Sequence, residues 1–214
     1  WEDGDALVDL TAPHVFAVDF DENGAPVIAW FDGPASAIKV SARSNGSVAT
    51  TTAIAGVQNI EWLDVCSLPG GGWAIVFYNP ATASLQYSSS ATFTKTDLTA
   101  GPNDVTTGFS PDAGQSPHVA VNASGDVFVS FYDLSGNCIA LATLRAATQT
   151  WTVEKIDENG NPGLHNAISV REIDGEPAVV YHCLTSRELR YAVRVGGEWV
   201  ISVIEDAGNQ GWWP

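Results

Sequence analysis

The chain has 214 residues, of which 25 are acidic and nine are basic, giving a formal net charge of −16 at pH 7. Such a surface repels nucleic-acid phosphates and anionic membranes, which excludes both as favoured partners. It favours cations and cationic partners, although acidity also keeps a β-rich protein soluble. No run of 18 apolar residues occurs, so the sequence predicts no membrane-spanning helix. A single domain can hold a chain of this length.

A repeated segment divides the chain into four units. In each unit a glycine lies six residues before an aromatic residue. The four pairs are Gly24 and Trp30, Gly71 and Phe77, Gly125 and Phe131, and Gly175 and Tyr181. The pairs recur roughly every 50 residues, a period typical of repeat architectures. We expect the four aromatic residues to be buried at equivalent places between units.

Each unit contains four predicted strands in chain order. The strands are runs of about 4 to 8 residues, rich in Val, Ile and aromatic residues and bounded by Gly, Asn, Asp or Pro. No run of ten or more residues has apolar positions at helical spacing, so almost no helix is predicted. The units span approximately residues 14–56, 59–99, 117–158 and 165–206, and residues 1–13 supply the outer strand of another unit.

The second and fourth strands of the units differ in polarity. Second strands such as Val27–Phe31 and Trp73–Tyr78 are apolar without a break, so both of their faces should be buried. Fourth strands such as Phe93–Leu98 and Trp151–Ile156 carry charges, and their apolar and polar residues come closer to strict alternation. Radially packed four-stranded sheets have buried inner strands and half-solvated outer strands, whereas a β-sandwich gives alternation in every strand. The pattern therefore predicts an all-β fold, a β-propeller of four-stranded antiparallel blades.

The N-terminal segment looks like a spare strand. Residues Ala6 to Pro13 match Phe93 to Pro102, which is a predicted fourth strand with its exit loop. Three explanations stay open: the 214 residues belong to a larger propeller, the ring closes with four blades, or the spare strand pairs with a neighbouring chain. An unpaired strand edge is a template for association, which favours the third. The start at Trp1 and the absence of Met favour a processed or excised piece.

The units resemble the blades of sialidase-like and related bacterial repeat propellers. The similar pattern is Gly-x-Pro-x-Ile-x-Tyr-Tyr-Asp, followed by Leu-x-Tyr-Ala and a late Trp, and it is clearest in residues 117–205. This resemblance implies the propeller fold, which hosts many unrelated functions. The Asp-box of true sialidases, Ser-x-Asp-x-Gly-x-x-Trp, does not occur, and its absence disfavours glycoside hydrolysis.

Three histidines are candidate metal ligands. His14, His118 and His165 each lie at the start of a predicted first strand. First strands line the central channel of a propeller, so the three imidazoles are expected near one mouth of it. Imidazoles around an axis can bind a transition metal. The alternative is that each His caps the end of its strand.

Other polar and aromatic residues are candidate ligand-binding groups. Asp32 and Asp133 follow corresponding strands on different blades, where two acids at a channel mouth can contact a glycoside. Trp212 and Trp213 lie beyond the last strand, and paired indoles either stack on sugar rings or cover a blade edge.

No cofactor is predicted, although two acidic loops make calcium possible. Asp19 to Gly24 matches the opening of a calcium loop but has Trp30 where the motif needs Glu, and a plain turn is the favoured interpretation. Asp157 to Asn161 is a similar segment on a longer loop between blades.

The function best predicted from the sequence is that of an extracellular or cell-surface propeller, a non-enzymatic binding and assembly module. Its expected partners are another protein chain, or a second copy through the N-terminal strand. The loop Thr99–Ser116, rich in Gly, Pro and Asp, is the expected place for a specific contact. The alternative is a glycan-binding, lectin-like or glycoside-hydrolase-like propeller.

Overall fold

The computed structural model describes residues 15–44, 47–90, 96–97 and 112–205. The predicted strand Ala6–Leu10 and most of the loop Thr99–Ser116 lie outside the described residues. All regular structure within the described ranges is β-strand. No helix in this part of the chain is long and apolar enough to cross a membrane.

The strands follow one another in groups of four, each group forming one unit of the predicted repeat. The first two groups are β1 (Phe16–Phe20), β2 (Pro26–Asp32), β3 (Ala37–Ser44) and β4 (Ser47–Ala55), then β5 (Leu63–Ser67), β6 (Trp73–Asn79), β7 (Ser84–Ser89) and β8 (Thr96–Asp97). The last two are β9 (Ala113–Val121), β10 (Val127–Asp133), β11 (Cys138–Arg145) and β12 (Thr150–Asp157), then β13 (Pro162–Val170), β14 (Pro177–Cys183), β15 (Glu188–Val195) and β16 (Glu198–Glu205). We call the four groups blades 1 to 4.

Within each blade the strands pair antiparallel in chain order. Blades 1 and 4 are separate sheets, whereas blades 2 and 3 are joined by one parallel pairing between Ser84 and Ala113. Two first strands begin earlier than the sequence predicted: β9 starts before Pro117 and β13 starts before Ala167. Bulges interrupt the pairing of β9 with β10 and of β13 with β14. The two first strands therefore extend beyond the regular apolar pattern.

The first strands lie at the centre of the arrangement. β1 packs against β5, β5 against β9 and β9 against β13, while the later strands of each blade extend outward. This radial packing of four-stranded antiparallel sheets confirms the predicted fold class, a β-propeller.

Three apolar clusters fill the spaces between successive blades, one cluster for each adjacent pair. The four aromatic residues of the repeat are buried as predicted: Trp30 is 8% exposed, and Phe77, Phe131 and Tyr181 are fully buried. β6 and β10 are buried along their whole length, whereas β2 and β14 are only partly buried. The difference arises because blades 2 and 3 have a neighbour on both faces, and no described cluster joins blade 1 to blade 4.

Side chains of the first strands also bind the backbone of the neighbouring blade. Each contact gives a polar backbone group at the centre a partner that the sheet itself does not supply. The contacts are Ser67 N to Asp19 Oδ2 at 2.7 Å, Val119 N to Asp64 Oδ2 at 2.9 Å, and Asn166 Nδ2 to the Ser116 carbonyl at 2.9 Å. They fix the first strands of neighbouring blades relative to one another.

Candidate functional site

A cleft of about 240 Å³ opens where the first strands of blades 1 to 3 begin. Phe16 of blade 1, Glu61 and Trp62 of blade 2, and Pro117 and His118 of blade 3 line it. We call it the axial cleft. It combines aromatic rings, a carboxylate and an imidazole from three different blades.

The aromatic wall of the cleft is held by backbone pairing. Trp62 directly precedes β5, and its carbonyl accepts a hydrogen bond from Tyr78 N at 3.2 Å. Its ring meets the Tyr78 ring edge to face, with centroids 5.7 Å apart. Trp62 is partly exposed. Phe16 pairs with Trp30 in the sheet of blade 1 and is 61% exposed. Two apolar ring surfaces are therefore available to a ligand in one cleft.

The polar part of the cleft consists of Glu61 and His118, with Asp64 beside His118. Asp64 Oδ1 accepts a hydrogen bond from Val65 N, Asp64 Oδ2 accepts one from Val119 N, and Oδ2 lies 3.5 Å from His118 Nδ1. Glu61 is exposed and forms no ion pair with any basic residue that the structure describes. The cleft therefore presents one carboxylate, Glu61, without a described basic partner, and Asp64 beside His118 is already bound.

A tyrosine–acid pair lies behind the aromatic wall. Tyr78 OH donates a short hydrogen bond to Asp112 Oδ1. Burial, followed by the hydrogen bond and charge of Asp112, raises the pKa of Tyr78 to about 12. In the next blade Tyr132 OH donates to Asn161 Oδ1 at 2.6 Å. A neutral amide takes the place of the acid there, and the contact again links adjacent blades. A raised pKa does not suit a tyrosine nucleophile, so we interpret the Tyr78 contact as a link between blades.

The pairing register places the two described candidate histidines at different positions in their strands. His118 pairs with Ser130 in the register of β9, whereas His165 precedes Asn166, the partner of Tyr181. His165 instead lies beside His182, with ring centroids 6.5 Å apart. Burial lowers the pKa of both, and for His182 the charge of His165 adds to the effect. His14 lies outside the described residues.

No group of three or more metal-ligating side chains occurs in the part of the chain that the structure describes. The histidine metal site remains a prediction.

The two candidate aspartates cap turns. Asp32 Oδ1 accepts a hydrogen bond from Ala35 N, and Asp32 Oδ2 accepts one from Lys39 Nζ at 2.5 Å, which lowers the pKa of Asp32. Asp133 is 1% exposed, and its Oδ1 accepts a hydrogen bond from Gly136 N. Both contacts shape the turn after the second strand of their blade. A ligand-binding role for these carboxylates remains a prediction. Trp212 and Trp213 lie outside the described residues.

The acidic loops considered for calcium are built around internal contacts. Asp21 Oδ1 accepts hydrogen bonds from the backbone N–H groups of Asn23 and Ala25, the pattern of an ordinary turn. Asp157 is buried, and its Oδ2 accepts hydrogen bonds from Tyr181 OH at 2.9 Å and Arg190 Nη1 at 2.8 Å. The guanidinium of Arg190 thus occupies the place of a cation at Asp157.

The sequence analysis missed Glu61 and Trp62. Phe77 pairs with Leu63, and Tyr181 pairs with Asn166, so Trp62 and His165 occupy equivalent positions, each one residue before the partner of the repeat's aromatic residue in its blade. The sequence signal for this pair was a Trp next to a Glu at the start of a first strand, the same position at which the candidate histidines lie.

No protein-family model matches the chain, and no curated protein matches its sequence. Solved structures do match. A mutant of AofleA from Arthrobotrys oligospora has a TM-score of 0.64 at 16% identity, covering 90% of this chain and 57% of its own. The GH93 α-L-arabinofuranosidase of Fusarium graminearum, in complex with arabinobiose, has a TM-score of 0.52 at 12% identity, covering 90% and 66%. The Hadza microbial sialidase Hz136 has a TM-score of 0.50 at 14% identity, covering 90% and 45%.

At these identities the similarity concerns the fold alone. It confirms the expected fold-level resemblance to sialidase-like propellers. The chain spans a little over half the length of AofleA.

Proposed function

We propose that the chain is a carbohydrate-binding β-propeller module that holds a glycan in the axial cleft without hydrolysing it. The observation that carries the proposal is the adjacent pair Glu61 and Trp62, exposed beside Phe16 in one cleft. Sugar rings place their C–H faces against aromatic rings, and their hydroxyls bond to a few convergent polar groups. Glu61 and His118 are such groups. An extracellular location remains a prediction.

The carboxylates favour binding over hydrolysis. Glycosidases generally use two carboxyl groups that flank the scissile bond. Outside the cleft lining, both oxygens of Asp64 are engaged by backbone N–H groups, and Asp112 is bound to Tyr78. Glu61 is the one described carboxylate that lines the cleft. Carbohydrate as the ligand class is supported by the fold, which the GH93 arabinofuranosidase and the Hadza sialidase share.

The test is a glycan array on the intact chain, followed by dissociation constants for three variants. Trp62→Ala and Phe16→Ala should each weaken binding at least about tenfold, or about 1.4 kcal/mol, because each removes a stacking surface. Phe20→Ala is the matched control, since Phe20 lies on the same strand as Phe16 and is 56% exposed but does not line the cleft. Absence of any glycan ligand, or full affinity in Trp62→Ala, would overturn the proposal.

The outer strand of blade 4 favours a second role, assembly. β16 carries exposed apolar residues: Val200 is 47% exposed and Val203 is 51% exposed. By the pairing register these positions correspond to Thr152 and Lys155 of β12, which are polar. No described strand pairs with the outer edge of β16, and an apolar outer strand edge is a template for another strand. We infer that the segment Ala6–Leu10 of a second copy pairs there.

Light scattering over a range of concentrations tests the assembly role. The intact chain should associate as concentration rises, and both deletion of residues 1–10 and the double variant Val200→Thr, Val203→Lys should remain monomeric. The glycan affinity of the double variant should be unchanged, since β16 does not line the axial cleft. A chain that stays monomeric at every concentration contradicts this role and leaves glycan binding unaffected.

A further inference from the structure

We propose that the axial cleft selects glycans with free amino groups, so that a glucosamine unit binds in preference to its N-acetylated or acidic counterparts. This inference rests on the proposed glycan-binding function and concerns the ligand class of the same cleft. It follows from which charged groups line the cleft and from where the basic residues lie.

The cleft contains a carboxylate but no lysine or arginine that the structure describes. Glu61 lines the cleft together with the imidazole of His118, and none of the described lysines and arginines does so. Most of those bases are paired with acids elsewhere in the fold. The pairs are Lys39 with Asp32, Arg145 with Asp126, Lys155 with Glu158, Arg171 with Asp174, Arg190 with Asp157 and Glu188, and Arg194 with Glu154.

An acidic sugar therefore finds no described lysine or arginine in the cleft. Recognition of a sugar carboxylate or sulfate generally relies on Arg or Lys, with Arg giving bidentate geometry. Here such a group would instead meet the unpaired carboxylate of Glu61, inside a chain of net charge −16. Uronic, sialic and sulfated glycans are disfavoured on both counts.

An ammonium group, in contrast, finds both of its usual partners. Glu61 supplies a negative charge, and the adjacent Trp62 supplies the aromatic face over which a cation binds best. The carboxylate acts on the cleft wall itself: after burial and Asp112, the charge of Glu61 contributes to the raised pKa of Tyr78, whose ring contacts Trp62. N-acetylation removes the positive charge and with it both attractions.

His118 supplies a polar group in the cleft that can bind a sugar hydroxyl. The His118 side chain is 40% exposed and faces the cleft beside Asp64. Its imidazole can donate to or accept from a sugar hydroxyl, which orients the ring between the two walls. The amine preference thus depends on Glu61, while stacking depends on Trp62, so the two can be separated experimentally.

The experiment compares three oligosaccharides of equal length by isothermal titration calorimetry on the intact chain: the glucosamine tetramer, the N-acetylglucosamine tetramer and the galacturonic acid tetramer. The glucosamine tetramer should bind at least about tenfold more tightly than the acetylated one, a difference of about 1.4 kcal/mol. The acidic tetramer should not bind. Glu61→Gln should make the glucosamine and acetylated tetramers equal, whereas Trp62→Ala should weaken both.

Glu172→Gln is the matched control for the general negative charge of the chain, because Glu172 is exposed and lies outside the cleft. It should leave the preference intact. If the acetylated tetramer binds as well as glucosamine in a manner that depends on Trp62, the amine inference is wrong and the proposed function stands. If the preference survives Glu61→Gln, the assignment to Glu61 is wrong. If no glycan binds, the proposed function itself is overturned.

Discussion

Replacing Phe131 with Ala tests the packing on which the whole blade arrangement depends. Phe131 is fully buried in the cluster between blades 2 and 3, where it packs with residues such as Val119 and Ala140. Burying a Phe side chain contributes about 1.5–3 kcal/mol. The neighbouring strands belong to two blades and can collapse only partly into the vacated space, so a cavity cost adds to this loss. We expect the free energy of unfolding to fall by about 3–5 kcal/mol.

The assay is urea denaturation followed by tryptophan fluorescence, with Phe20→Ala as the matched control. Phe20 is the same residue type but is 56% exposed on β1, so its truncation should change stability by less than about 1 kcal/mol. A lower midpoint at an unchanged slope identifies a true loss of stability. If Phe131→Ala is as mild as Phe20→Ala, the residue is not packed between blades and the alignment of the repeats is wrong.

Two further predictions concern backbone strain and pH. Gly114 has φ of +112°, and a Cβ there would lie 2.4 Å from Leu85 Cβ, so Gly114→Ala should destabilise the chain by about 2–5 kcal/mol. Gly56→Ala, with φ of +72° and open space around it, should cost only about 1–2 kcal/mol, and equal losses by urea denaturation would contradict the clash. Burial lowers the pKa of His165 and His182, so the folded chain keeps them neutral where the unfolded chain binds protons. Their contribution to stability is full above the unfolded pKa of about 6.5 and is lost as pH falls toward the folded pKa, at about 1.4 kcal/mol per unit of pKa difference for each group. Unfolding curves at pH 7.5 and 5.5 check this: His182→Gln should reduce the pH dependence, and a wild-type chain equally stable at both pH values would contradict it.

The repeated Gly-to-aromatic offset was enough to predict the second strands. It marks where a turn ends and a strand buried on both faces begins, and β6 and β10 are buried throughout as expected. β2 and β14 depart from the pattern, although their sequences are equally apolar. Their partial exposure follows because β2 lies in the first and β14 in the last of the four described blades, and no described apolar cluster joins these two blades. A strand's own residues do not specify that position.

The candidate site was harder to predict because it depends on register. His118 and His165 look equivalent in the sequence, but bulges in β9 and β13 place them differently in their strands. A bulge adds a residue without changing the apolar pattern on either side, so spacing alone does not reveal it. Trp62 lies partly exposed just before β5, a position that the apolar pattern does not distinguish from a buried one.

A crystal structure of the chain bound to the glucosamine tetramer tests the central claim most directly. The account predicts a sugar ring against the face of Trp62, with its amino nitrogen within hydrogen-bond reach, about 3 Å, of the Glu61 carboxylate. Blade 4 offers the clearest competing location, a cleft of about 330 Å³ lined by Arg171 and Arg194. Sugar density in that cleft, with the axial cleft empty, would contradict the account.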